Sequence, residues 1–253
     1  MTPKINLPNC LTFYVPSISA YGNTLIVYHE VFNQECYAKS GFEIRSTDTI
    51  VDIGGNMGFF ALWAATQAPA GCIVSVEPTP AIDCLLDNIQ HNSLSNVKAL
   101  RAAIGRDGDE IELHYHPSYS SMSHNTKFKH SHFLRIISRF ASFFFSNRNA
   151  GVIIKSKCIS LKRLLENYNI DRLNLLKLDC EGAEYNIFKN LDTEDLQRID
   201  KIVMEFHELH PEHNHCQLVA KLEQNNFQVE VYKNPLRYQL GKVGFIWARK
   251  RNL

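Results

Sequence analysis

From residue 49 onward the hydrophobic positions alternate between short, β-branched runs and longer amphipathic ones. Apolar runs near 49–54, 72–77, 97–102, 173–179 and 201–207 predict strands. Between and after them, apolar residues spaced three and four apart predict helices over 58–68, 80–92, 160–168, 184–190 and 215–225. Strand and helix in strict turn predict an α/β fold with a doubly wound, mostly parallel sheet. A last pair of runs, 227–232 and 243–248, carries Phe227, Val229 and Val231, then Val243, Phe245 and Trp247, joined through Asn234-Pro235 and Gly241. Residues 1–48 show only short alternation, as at Thr24 to Tyr28, and predict a cap of a strand or two and a short helix. The expected division is a cap over 1–48 and a main domain over 49–253.

One stretch, about 117–150, breaks the rhythm. It follows a clean alternation at Glu110 to Tyr115 and precedes a similar one at Gly151 to Cys158, so the two read as partner strands around an insertion. Within it, 124–149 carries Lys127, Lys129, Arg135, Arg139 and Arg148 with no acid. Phe133, Ile136, Ile137, Phe140 and Phe144 follow helical spacing. An inserted helix packed on the domain, a lid over a pocket, and a basic amphipathic helix on a membrane surface all suit that pattern.

Composition narrows the setting. A length of 253 residues suits one α/β domain, and a net charge of +1 advertises neither nucleic acid nor membrane. The N-terminus lacks the apolar core of a signal peptide, and no apolar run approaches the ~20 residues that span a bilayer. Seven scattered cysteines without a Cys-x-x-Cys pair point to reduced thiols and a cytoplasmic protein.

The most informative segment is Val51-Asp52-Ile53-Gly54-Gly55-Asn56-Met57-Gly58, which joins the first strand of the rhythm to its helix. Glycines in such a turn allow positive φ and close approach of a ligand to the main chain. Asp52 in a buried strand needs a partner, and a cationic ligand above the turn would supply one. Downstream, Glu77 ends the second strand and Pro78 stops it. In βαβ nucleotide folds an acid at that place accepts hydrogen bonds from ribose hydroxyls. The dinucleotide fingerprint G-x-G-x-x-G is missing, and a carboxylate beside a pyrophosphate is repulsive. A ribose-bearing ligand with a cationic amino-acid tail and no phosphate fits better, which describes S-adenosylmethionine. A nicotinamide-dependent oxidoreductase is the alternative on the same fold. A non-catalytic module that binds a membrane or partner through 124–149 is the alternative of another class.

Taken with that turn, three later segments carry a family resemblance. They are Ala102-Ala103-Ile104-Gly105, Leu176-Lys177-Leu178-Asp179-Cys180-Glu181-Gly182-Ala183-Glu184 and Val203-Met204-Glu205-Phe206-His207-Glu208. The chain resembles the FkbM-type family of class I S-adenosylmethionine-dependent methyltransferases over about 45–250, outside the insertion. The resemblance implies a Rossmann-like sheet of seven strands with an antiparallel strand near the C-terminus. It also implies methylation of a hydroxyl on a small-molecule or glycan acceptor: a sugar, polyketide or other secondary metabolite.

For that chemistry Gly54, Asn56 and Gly58 are expected to shape the methionine end, and Asp52 to hold its ammonium directly or through water. Glu77 takes the ribose, Ala103 with Ile104 borders adenine, and Asp179 faces the same crevice. A hydroxyl acceptor needs its proton removed. Asp179, Glu181 and Glu184 follow one strand, Glu205, His207 and Glu208 end the next, and ligands bind at such strand ends. His207, with an ordinary pKa near 6.5, is the expected general base, with Asp179 and Glu205 around it. Alternatively Asp179, Glu181 and Glu205 hold Mg²⁺. Cys180, among acids, is not expected to act as a nucleophile. His210, His213 and His215 read as a solvated loop rather than a zinc site.

Overall fold

The computed structural model describes residues 4–7, 10–15, 21–33, 37, 39–115, 124–125 and 152–251. Strands β1 (Lys4–Asn6) and β2 (Thr12–Tyr14) form a hairpin, and helix α1 (Tyr21–Tyr28) runs on into a π turn over His29–Asn33. Thr24 to Tyr28, which alternates in sequence, is therefore helical. Tertiary packing overrides the weak β preference here: Thr24 is fully buried and Tyr28 meets Phe59 edge-on, ring centres 6.4 Å apart.

The main domain then follows in order: β3 (Thr49–Ile53), α2 (Phe59–Gln67), β4 (Cys72–Val76), α3 (Ala81–His91), β5 (Val97–Leu100), β6 (Ala103–Ile104), β7 (Glu110–Tyr115), β8 (His124–Asn125), β9 (Val152–Ile159), α4 (Leu161–Asn167), β10 (Leu173–Leu178), α5 (Glu184–Asn190), α6 (Thr193–Gln197), β11 (Ile199–His207), α7 (His215–Gln224), β12 (Phe227–Tyr232), α8 (Pro235–Gly241) and β13 (Val243–Lys250). Seven strands form one sheet in the order β12-β13-β11-β10-β3-β4-β5. The central neighbours run parallel, and β13 lies antiparallel between β11 and β12. The expected doubly wound, Rossmann-like sheet with its antiparallel ending is thus observed.

Both faces of the sheet are covered, which is why its strands read as apolar runs. Phe59, Phe60 and Leu62 of α2, with Ile82 and Leu85 of α3 and Phe13 of the hairpin, bury one face. Leu161, Leu164 and Leu165 of α4, Phe188 of α5 and Leu218 and Leu222 of α7 bury the other. The N-terminal hairpin docks through two asparagines one turn apart, Asn88 on α3 and Asn92 at its C-terminal cap. Asn88 and Asn92 exchange amide hydrogen bonds of 2.7–3.1 Å with the backbones of Tyr14 and Thr12, so their side chains act as a strand partner for β2.

Strands β7 and β9 pair antiparallel from Glu110↔Lys157 to Tyr115↔Val152, the partnership expected around the insertion. Apart from β8, the basic, aromatic stretch 124–149 lies outside the described residues, and its expected roles lie there with it. Helix α8 replaces a plain connection between the last two strands. Asn234 caps it, its Oδ1 accepting from Leu236 N and Arg237 N, with Pro235 in the first turn. Asn-Pro is a helix-start signal, and the sequence reading passed over it. No described helix is long and apolar enough to cross a membrane.

Candidate active site

The strand order reverses between β3 and β10, and crevices for ligands open at the carboxyl ends of such strands. Asp52, Gly54, Asn56, Glu77, Asp179, Glu205 and His207 all lie at or just beyond the carboxyl ends of β3, β4, β10 and β11. Parallel register places Lys177 beside Asp52, and Asp52 beside Ser75, in one row across β10, β3 and β4. The three side chains meet inside the protein. Lys177 Nζ lies 2.9 Å from Asp52 Oδ1 and donates to the Gly54 carbonyl at 2.9 Å, while the Ser75 hydroxyl donates to Asp52 Oδ2 at 2.6 Å. Burial opposes the charge on Lys177, but Asp52 and Asp179 outweigh it and hold the ammonium well above its ordinary pKa.

The expected direct hold of Asp52 on a ligand ammonium is thereby corrected. Asp52 has no exposed surface, and the cationic partner it needs is Lys177. Its task is to support the turn from below. The glycines, too, answer first to the protein. A Cβ on Gly54 would lie 1.9 Å from the Asp179 carbonyl oxygen, and one on Gly55 2.0 Å from Ser75 Oγ. Gly54 also takes φ +81°, so it joins β3 to the start of the Asp179 loop at a distance no side chain tolerates. Gly58, at φ +101°, packs against Leu85 and opens α2.

Above this floor lie two groups suited to a nucleoside with an amino-acid tail. Glu77 is buried and accepts from the backbone amides of Asn56 and Thr79, each at 2.9 Å. Burial raises its pKa, with the Thr79 and Asn56 hydrogen bonds pulling the other way. A carboxylate has room for further donors beyond those two, as a ribose diol requires. Among the described residues Asn56 Oδ1 is buried without a hydrogen-bond partner, an acceptor left open beside the turn. Ala103 is buried within β6, paired with Cys158 of β9, rather than in an open turn, so its side chain is covered by the protein.

Across the switch point, the loop after β10 is organised by Glu184. This fully buried carboxylate accepts from Cys180 N at 2.9 Å and from Gly182 N at 3.1–3.2 Å, while Glu181 and Gly182 take φ of +50° and +98°. His207, at the end of β11, points Nδ1 at Glu184 Oε1, 3.1 Å away, and Nε2 toward Glu181 Oε2, 3.6 Å away. Burial lowers its pKa, but Glu184 and Glu181 outweigh that and hold it well above the usual value. The ring's surroundings thus differ from those of the ordinary imidazole assumed for the general base. Glu181, one-third exposed, is pushed up by burial and by Asp179, Glu205 and Glu184, which outweigh His207. Burial and then Glu184 also raise the Cys180 thiol, consistent with an inert cysteine.

Glu205 shares its strand face with His207 and meets Arg237 Nη2 of α8 at 3.2 Å. Among the described residues, the group whose ligand atoms converge is Asp179, Glu205 and His207, all within 4.8 Å of one another. His207 therefore takes the place that Glu181 held in the expected metal set. The other histidines disperse. His215 pairs with Glu208 at 2.7 Å, and His213 stacks on Tyr185. Lys177, Ser75 and Arg237 escaped the sequence reading. The signal for Lys177 was a lysine inside the apolar run Leu175-Leu176-Lys177-Leu178, where burial demands a countercharge.

This ground plan is that of a class I S-adenosylmethionine-dependent methyltransferase, and comparison with known proteins agrees. The chain belongs to the FkbM methyltransferase family, whose model, described as the methyltransferase FkbM domain, matches residues 52–229. It is 28% identical to methyltransferase sdnD of Sordaria araneosa over 99% of this chain and 98% of that one. It is 29% identical to methyltransferase 1 of Beauveria bassiana over 81% and 82%. To 31-O-demethyl-FK506 methyltransferase FkbM of Streptomyces tacrolimicus it is 25% identical over 92% and 91%. A solved SAM-dependent methyltransferase from Aquifex aeolicus superposes with a TM-score of 0.45 at 8% identity, covering 92% of this chain and 98% of that one. Membership of a methyltransferase family sets the nicotinamide reading aside.

Proposed function

We propose that the protein transfers the methyl group of S-adenosylmethionine to a hydroxyl of a small secondary metabolite, such as a polyketide or sugar, in the cytoplasm. The observation that carries this reading is the grouping of Asp179, Glu181, Glu205 and His207 at the strand ends facing the glycine turn. A hydroxyl must lose its proton as it attacks, whereas an amine needs much less help, so such a cluster suits an oxygen nucleophile. The Streptomyces tacrolimicus relative, named for 31-O-demethyl-FK506, supports the same class of acceptor.

In this reading Glu77 holds the ribose hydroxyls and Asn56 Oδ1 accepts from the methionine ammonium. Asp52, Lys177 and Gly54 hold the turn in shape beneath them. Bound S-adenosylmethionine supplies an electrophilic methyl on a sulfonium. The protein supplies alignment of the acceptor in line with that methyl and, through Asp179, Glu205 and His207, a place for the acceptor oxygen. The test is methylation of a panel of hydroxylated and aminated metabolites with methyl-labelled S-adenosylmethionine, the product bond assigned by NMR. An O-methyl ether, with rates about 10²–10⁴ lower in Asp179→Asn and His207→Ala, is the expected result. N-methyl products alone would overturn it.

A further inference from the structure

Negative charge is concentrated at the ends of β10 and β11. Among the described residues, Asp179, Glu181, Glu184 and Glu205 gather there with His207 and Arg237, and Lys177 lies on the Asp179 side. Glu184, Glu205 and His207 are buried. Like charges brought out of water need a counterion or a proton. Three of these residues offer ligand atoms within 4.8 Å of one another, from two carboxylates and one imidazole. Glu184 stands behind the ring. Its contact with Nδ1 directs the other ring nitrogen, Nε2, toward the cluster, as carboxylates behind metal-bound histidines do.

We propose that Asp179, Glu205 and His207 bind one hard divalent cation, Mn²⁺ or Mg²⁺, whose remaining positions take two oxygens of the acceptor. Oxygen-rich donors with a single imidazole suit these ions rather than zinc. Three protein ligands leave about half of an octahedral shell open. The acceptor class that fills two such positions is a vicinal diol or a hydroxyl next to a carbonyl. The proposal rests on the methyltransferase reading for the acceptor, and on the cluster alone for the ion.

The experiment uses the full chain stripped with a chelator, titrated with Mn²⁺ and followed by electron paramagnetic resonance, with S-adenosylhomocysteine binding measured in parallel. One Mn²⁺ per chain with nitrogen coupling from an imidazole is expected. In His207→Asn the coupling should vanish and the affinity should fall at least about tenfold, with S-adenosylhomocysteine still bound as proof of folding. Should that variant fail to fold, the coupling in the unaltered chain decides. Absence of nitrogen coupling there, or Mn²⁺ affinity unchanged in a folded His207→Asn, overturns the metal site. A chain that binds S-adenosylhomocysteine but takes up no Mn²⁺ defeats the ion and leaves the methyltransferase standing. Failure to bind S-adenosylhomocysteine defeats the methyltransferase reading itself.

Discussion

Lys177 and Asp52 meet at 2.9 Å with both side chains almost wholly shielded from water, on neighbouring parallel strands that flank the switch point. The pair stands directly under the glycine turn, because the same ammonium holds the Gly54 carbonyl. Removing one partner of such a pair leaves a buried, uncompensated charge and costs about 3–5 kcal/mol. Lys177→Met is therefore expected to lower the urea midpoint sharply. Adding Asp52→Leu should restore part of the loss, since a matched apolar replacement removes the orphan. A single variant as stable as the parent would show that the pair is not what holds the turn.

Glu77, proposed to take the ribose hydroxyls, can be tested through cofactor affinity. Its two oxygens also accept from Asn56 N and Thr79 N, so Glu77 ties the turn to the end of β4. Glu77→Gln keeps one acceptor oxygen and should weaken S-adenosylhomocysteine by less than Glu77→Ala. The alanine variant should lose about 1.5–3 kcal/mol, the scale of hydrogen bonds to a charged group. Titration calorimetry on folded variants checks both, and equal affinity across all three chains would remove Glu77 from the ribose.

Two glycines separate packing from backbone strain. A Cβ on Gly55 would meet Ser75 Oγ at 2.0 Å and Asp52 Oδ2 at 3.2 Å, so Gly55→Ala must push apart the buried polar row. Overpacking of this kind costs about 1–3 kcal/mol. A Cβ on Gly108 would meet nothing within 4 Å among the described residues, but Gly108 sits at φ +83°, so Gly108→Ala should cost only the roughly 1–2 kcal/mol of a left-handed residue. Thermal unfolding should rank Gly55→Ala below Gly108→Ala, and should show a loss of cofactor binding only in the former.

Acid should loosen the start of α4. Asp107 accepts from Ser160 N at 2.8 Å and from the Ser160 hydroxyl at 3.0 Å, and Ser160 in turn caps the helix by accepting from Arg163 N. The Ser160 amide holds the Asp107 carboxyl below its ordinary pKa of 3.8. A carboxylate lowered in the folded state stabilises fully above its unfolded pKa, and the benefit fades as pH falls through the lower folded value. Asp107→Asn should therefore be less stable than the parent near pH 7, with the two converging below about pH 3.8. A gap that stays constant with pH would mean that the contact works through shape and not charge.

Much of the framework is written in local pattern. The apolar runs at 49–53, 72–76 and 173–178 emerge as strands β3, β4 and β10 because burial on both faces imposes them. Gly54 and Gly58 could be read as a turn because positive φ is a property of the single residue. What local pattern cannot carry is the identity of a partner distant in the chain. Asp52 was seen to need a cation, but only the register of β10 against β3 puts Lys177 beside it. His207 was given an ordinary pKa because its charge state depends on Glu184 and Glu181, whose carboxylates reach it only once the loop after β10 folds over β11. Likewise Thr24 to Tyr28 lies in a helix whose Thr24 is buried and whose Tyr28 meets Phe59, surroundings that no short window contains. The sequence determined where the strands, turns and acids lie, since these follow from single residues and their period. The tertiary structure decided which charges meet, since that follows from long-range register and from burial, where water no longer screens them.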